Sequence, residues 1–260
     1  MKYGGVKMKS ATTKRPYRQR LRAESSALTR QRIIEAARQV LTTRPLHGFN
    51  LSEVAELARV VRSTIYVVFG SREGLLRAVV QDMAERGGWE RMREAFRDPD
   101  AWQAIRRNLE EGTRMIASEH SVALAITVLA AVDPDAAVVA AEMDEVRLRG
   151  VRSLAGRLGE QGYLRSELSQ EEAVDILWAL TSWNTFDQLY SGRRLEQPAV
   201  ADRLVTMARL TLCRPETMTV VDDAPDTSGE KIGATRMRRG RGTTPLDPRV
   251  ARNDTGERHQ

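Results

Sequence analysis

Apolar residues recur along most of this chain at three- and four-residue spacing, the period of helices buried on one side. Strand-like alternation is not found, so the pattern predicts an all-α protein. Thr29 caps a first helix with the stripe Ile33, Ile34, Ala37, Val40 and Leu41, closed by Pro45 and Gly48. Asn50, with Glu53 three residues on, opens a short second helix in the manner of a capping box, and Leu51, Val54, Ala55 and Ala58 form its inner face. After Arg59-Val60-Val61 a third helix runs from about Arg62 to Phe69. Gly70 stops it, and Ser71 caps a fourth carrying Leu75, Leu76, Val79, Val80 and Met83, which Gly87-Gly88 closes.

Longer helices follow. Asp98-Pro99 opens one with Trp102, Ile105, Leu109, Met115 and Ile116 inward, Pro99 taking the first helical position. A short apolar helix over residues 121–131 precedes another that starts at Asp133-Pro134 and reaches about Leu158. Ser169 and Glu172 form a capping box ahead of Ala173, Ile176, Leu177, Leu180 and Trp183, in a helix expected to continue to Gly192. Pro198 begins the last, ending near Cys213. No repeat of 20–50 residues is present.

Composition sharpens this outline. The chain has 260 residues, 41 % hydrophobic and 29 % charged, which suits a folded chain with a buried core. The formal charge of +6 points to an anionic partner, but it is unevenly placed. Residues 1–28 hold eight basic side chains against Glu24 and carry +7. Residues 29–213 carry −2, and residues 214–260, rich in Pro, Gly and Thr, carry +1. Four segments are therefore expected: a flexible basic arm (1–28), a DNA-binding domain (29–75), a larger helical domain (76–213) and a disordered tail (214–260). The apolar run from Val122 to Val132 is about half the ~20 residues a membrane span needs. With a polar N-terminus and one cysteine, Cys213, the expectation is a cytoplasmic protein with no membrane association and no internal disulfide.

Three short helices after a basic arm, the second and third joined by a tight turn, outline a helix-turn-helix. Val61, Ile65, Val68 and Phe69 share the face of the third helix that packs inward. Ser63, Tyr66 and Val67 lie opposite, Thr64 at the edge, and Arg62 stands near the start, where it can reach a guanine or a phosphate.

The run Gly48-Phe49, Val54-Ala55, Arg62-Ser63-Thr64-Ile65-Tyr66, Phe69 and Ser71-Arg72-Glu73-Gly74-Leu75-Leu76 resembles the N-terminal domain of the TetR family of bacterial transcriptional regulators. The resemblance implies that Thr64 and Tyr66 meet DNA, that Arg72 holds a phosphate and that the second-helix start near Ser52 faces the DNA backbone. Lys14, Arg15 and Arg18 of the arm would track DNA as well. Three positions depart from the family pattern. Arg59 replaces a turn glycine, which predicts a non-glycine residue at an awkward φ. Val61 replaces the usual Ser or Thr cap, so one N–H loses its partner. Val67-Val68 replace a polar or basic pair, which removes a phosphate contact and leaves Val67 free to touch a thymine methyl.

Residues 76–213 carry −5, which argues against a second nucleic-acid surface. The resemblance implies an all-α ligand-binding and dimerisation domain there, with the last two long helices pairing across a twofold axis. Independently, a twofold dimer suits a palindromic operator, and the helices at 170–191 and 198–213 are apolar on more than one side. A small-molecule pocket would draw on Trp102, Met115, Trp178 and Trp183, with Arg106 and Asn184 as polar handles, although such residues also serve as plain core. The three histidines stand apart, and no Cys-x-x-Cys, phosphate loop or Gly-x-Ser-x-Gly elbow occurs. The reading is a dimeric, ligand-released DNA-binding repressor without metal or cofactor, and not an enzyme. The alternatives are a TetR-like fold with weakened operator binding that serves as a small-molecule or protein-interaction module, and an all-α enzyme.

Overall fold

Local signals start and stop most of the helices. A computed structural model describes residues 14–43 and 48–215, with side chains of the first stretch described from residue 24 on. The helices are α1 (Lys14–Thr43), α2 (Leu51–Leu57), α3 (Arg62–Phe69), α4 (Arg72–Gly87), α5 (Trp89–Phe96) and α6 (Ala101–Ser118). They continue with α7 (His120–Ala130), α8 (Pro134–Glu160), α9 (Gln170–Leu180), α10 (Trp183–Asp187) and α11 (Gln197–Leu212). A wide π-type turn, Gln188–Gly192, follows α10. Among the described residues the one β-like feature outside the helices is an isolated antiparallel bridge between Leu164 and Cys213. Of the two closing residues, Gly48 is described, at φ +79, whereas Pro45, the first part of the arm and nearly all of the expected tail lie outside the described residues.

Several expected caps are made. Asn50 Oδ1 accepts from the Ser52 amide at 2.8 Å, so it caps α2 through Ser52 rather than through Glu53. Ser71 Oγ accepts from the Gly74 amide, Asp133 from the Ala136 amide, and Ser169 with Glu172 forms the full reciprocal box.

Four elements differ from the sequence reading. α1 begins at Lys14, inside the segment expected to be a flexible arm. Residues 17–28 contain no glycine or proline and several good helix formers, and Pro16 falls in the first turn, where its missing N–H has no intrahelical partner to lose. α5 lies between Gly87-Gly88, a stop signal, and Asp98-Pro99, a start signal; Gly88, at φ +99, ends α4 and opens α5 at once. α6 begins at Ala101, since Asp100 rather than Asp98 is its cap and accepts from the Gln103 amide at 2.8 Å. Finally, the helix expected to run to Gly192 breaks after Leu180. Thr181 Oγ1 turns back onto the Leu177 carbonyl at 2.7 Å, and Ser182 caps α10 through the Thr185 amide.

Two apolar cores hold the helices together. One joins Ile33, Val40, Val54, Ile65, Leu75 and Val79 of α1–α4 to Val122, Ile126 and Leu129 of α7 and Val139 of α8. The other gathers Trp102, Leu109, Leu154, Leu177, Phe186 and Leu204 from α6 and the helices that follow α7. The first core thus extends well past residue 75: α7 and the start of α8 share it with the helix-turn-helix.

Candidate nucleic-acid interface

The α2–α3 turn is set by backbone geometry. The Arg59 amide donates to the Glu56 carbonyl and the Val60 amide to the Ala55 carbonyl, both at 3.0 Å. This paired closure places Arg59 at φ +54, in the left-handed region that glycine adopts at no steric cost. Val61 caps α3 with no side-chain hydrogen bond. Both departures from the family pattern therefore have the structural consequence expected of them.

α3 has an anchored side and an open side. Ile65 is fully buried, and Val68 and Phe69 pack partly buried on the first core. Val61 was expected to share that inner face but is 68 % exposed, because it precedes the first helical turn and points past the core. Tyr66 is 42 % exposed and Val67 85 % exposed, with Arg62 and Ser63 exposed beside them. Thr64 is half-buried. An Arg62 guanidinium N–H donates to the Tyr66 hydroxyl at 3.2 Å, and the guanidinium lies 5.8 Å from the Tyr66 ring centre. Ser52 is exposed at the start of α2. The backbone of α1 carries Lys14, Arg15 and Arg18, whose side chains lie outside the described residues.

α4 begins tight against α3. Gly70 turns the chain at φ +77, and a Cβ on Gly74 would sit 2.1 Å from the Phe69 carbonyl oxygen, so that position tolerates no side chain. Arg72 was expected to hold a phosphate. Here its Nε donates to the Phe49 carbonyl at 3.0 Å, and its terminal nitrogens donate to both carboxylate oxygens of Asp133 and to Asp135 at 2.6–2.9 Å. The hydrogen bonds from Arg72 hold the Asp133 carboxyl below its ordinary range, against the cost of desolvation. Arg72 is thus a strut between the start of α4 and the start of α8, a role the sequence could not show because the partners lie 61 and 63 positions away.

A profile of bacterial regulatory proteins of the tetR family matches residues 33–79, from α1 through α3 into α4. These helices match the DNA-binding domain of that family. The HTH-type transcriptional regulator AlkX of Mycobacterium tuberculosis is 42 % identical over 62 residues, 24 % of this chain and 29 % of that protein. The match therefore spans less than a third of that relative's length. TetR-like architecture extends much further than the sequence match. NalD, the secondary repressor of the MexAB-OprM multidrug efflux pump in Pseudomonas aeruginosa, superposes with a TM-score of 0.59 at 18 % identity, over 74 % of this chain and 98 % of that one. FadR from Bacillus subtilis, solved with stearoyl-CoA, gives 0.57 at 18 % identity over 68 % and 96 %. The N-terminal helix-turn-helix and all-helical second region are thus those of a TetR-family fold.

In the second region, the residues expected to line a pocket have separate partners. Trp102 is buried, with the Arg209 guanidinium 4.7 Å from its ring centre. Arg106 Nε donates to Gln103 Oε1 along α6. Met115 lies against Gly87, closing the α4–α6 contact. Trp178 carries Arg147 at 3.3 Å over its ring, Trp183 packs 5.2 Å from His120, and Asn184 is exposed. These contacts fall at four helix junctions, α6–α11, α4–α6, α8–α9 and α7–α10.

Sequence reasoning missed two polar features here. Arg147 donates to the Trp178 carbonyl at 2.7 Å and to Thr181 Oγ1 at 3.2 Å, satisfying the end of α9 from α8. His120 Nε2 lies 2.9 Å from Asp187 Oδ1 and 3.1 Å from Ser191 Oγ, and Ser191 donates to the same Asp187 oxygen. Burial disfavours the Asp187 anion, but the bonds from Ser191 and His120 outweigh it and hold this carboxyl below its ordinary range. A nucleophile relay needs serine and carboxylate on opposite ring nitrogens. Here both meet Nε2, so the trio ties α7 to α10 and the π-type turn. Cys213 is fully buried, and desolvation pushes its thiol up to about 11, which suits packing and not nucleophilic work.

Proposed function

We propose that the chain regulates transcription as a homodimer that binds a palindromic operator through α3 and leaves it when a small-molecule effector occupies the larger helical region. The open side of α3 carries this reading: Arg62, Ser63, Tyr66 and Val67 are exposed on a short helix anchored by a fully buried Ile65. That combination of rigid backing and short, reachable side chains is what major-groove entry requires. Exposed Met207 and Leu210 on α11 support pairing of two copies through this helix. That Bacillus subtilis FadR, which shares this fold, was solved in complex with stearoyl-CoA supports a small-molecule effector. Release follows if the effector favours a spacing of the two recognition helices that the operator does not.

Footprinting of the purified full chain on DNA upstream of its own gene tests the reading. The expected result is a protected palindrome, with Tyr66→Ala weakening binding at least tenfold while sedimentation still shows the dimer. No protected palindrome at any salt concentration would overturn it. The engagement of Arg72 by Asp133 and Asp135, with the uncapped start of α3, favours one second reading: a TetR-like fold with weak, sequence-independent DNA binding. A preference for specific over random DNA of about 10³ or more separates the two.

A further inference from the structure

Val67 stands out on the recognition helix. It is 85 % exposed, the most exposed large apolar side chain among the described residues, on a helix whose packing is already supplied by Ile65, Val68 and Phe69. Valine is a mediocre helix former, so an exposed valine adds nothing to the stability of α3. It has neither donor nor acceptor, so it cannot hold a phosphate or read a polar base edge.

The remaining α3 side chains divide the open side into two halves. At about 100° per residue, Arg62 and Tyr66 are close neighbours, as are Ser63 and Val67. The first pair is internally tied by the 3.2 Å bond from Arg62 to the Tyr66 hydroxyl. The second presents a hydroxyl beside a bare isopropyl group. The major groove displays one prominent apolar feature, the C5-methyl group of thymine.

We infer that Val67 is a specificity-determining residue that packs on the 5-methyl group of one thymine in each operator half-site. The inference rests on the operator-binding reading above. Contact with Val67 removes both methyl surfaces from water, and thymine is favoured at that position without any hydrogen bond to it.

The test starts by selecting bound duplexes from randomised DNA with the full chain. Each thymine of the selected palindrome is then replaced by deoxyuridine, which removes the methyl group and leaves base pairing intact. One thymine per half-site is expected to cost wild type about fourfold in affinity when so replaced, and about fifteenfold when both half-sites are changed, the value of one methyl-sized group each. The variant V67A should bind thymine and deoxyuridine duplexes alike, with an unchanged circular dichroism spectrum, and V67I should keep the preference. If wild type binds the palindrome tightly yet is indifferent at every thymine, the assignment is wrong while operator binding stands. If V67A keeps the full penalty, another side chain reads the methyl group and the assignment is again wrong. Failure to enrich any sequence would overturn operator binding and this assignment together.

Discussion

The helix-turn-helix and the aromatic end of the larger region are built by opposite means. In the first, each short element is closed by a residue within a few positions: Asn50 on Ser52, the Arg59 turn on Glu56 and Ala55, and Ser71 on Gly74. In the second, α9 ends where Arg147 reaches the Trp178 carbonyl from 31 positions away, and α10 is tied to α7 by His120 and Asp187, 67 positions apart. Local closure leaves one side of α3 free of structural duties, so that side can be given over to DNA. Remote closure consumes the polar and aromatic groups themselves. Trp178 and Trp183 therefore serve first as packing partners of Arg147 and His120.

The largest test of this contrast removes the anchor of α3. Ile65→Ala empties a fully buried site and should cost about 2–5 kcal/mol in denaturant unfolding, with operator binding lost alongside. A loss under 1 kcal/mol would mean that α3 does not depend on this core. Next is Arg147→Met, which leaves the end of α9 without its donor. A loss of about 2 kcal/mol is expected, combining charged hydrogen bonds with the stacking on Trp178. Unchanged amide exchange at residues 178–185 would contradict the role given to Arg147.

Acid titration probes the strut between the two regions. The Asp133 carboxyl is held below its ordinary range in the folded state, so the unfolded chain takes up its proton first as pH falls. The stability contributed by the Arg72–Asp133 pair is fully present above the ordinary carboxylate value and is lost as pH falls through the lower folded value. Asp135→Asn should leave most of this acid-labile contribution in place, whereas Arg72→Gln should flatten it. An identical acid dependence in wild type and Arg72→Gln would remove the strut from the account.

The smallest effects lie at the two irregular turn positions. Val61→Thr supplies the missing cap and should add about 1 kcal/mol in thermal melting. Arg59→Gly relieves the positive φ and should add about 0.5 kcal/mol after the chain-entropy cost of glycine. A decrease on both substitutions would show that this turn is not strained by its sequence.

Most of the fold was legible, and so was the open side of α3. Helical spacing, the capping residues and the glycines at 70 and 87–88 mark α2, α3 and α4 closely, and the face of α3 follows from 3.6 residues per turn. The errors lie where local signals compete or are silent. Asp98 and Asp100 are both adequate caps; in the fold Asp98 accepts from the Asp100 amide, Asp100 caps α6, and Gln161 from the end of α8 accepts from the Ala101 amide. α1 continues back to Lys14 because residues 17–28 hold good helix formers and neither glycine nor proline, a preference that the charge of the segment does not overcome.

Taken alone, the sequence determined what is decided within one turn of helix: the all-α class, the order of the short N-terminal helices, the strained Arg59 turn, the uncapped α3 and the outward Val67. Tertiary structure decided what needs residues far apart in the chain. It turned Arg72 inward onto Asp133 and Asp135, carried the first core past residue 75 into α7 and α8 and set Arg147 of α8 against the end of α9. A periodic pattern records which face of a helix is apolar. It carries no record of which distant charge or carbonyl that face will meet, because such pairing depends on where the chain returns in space.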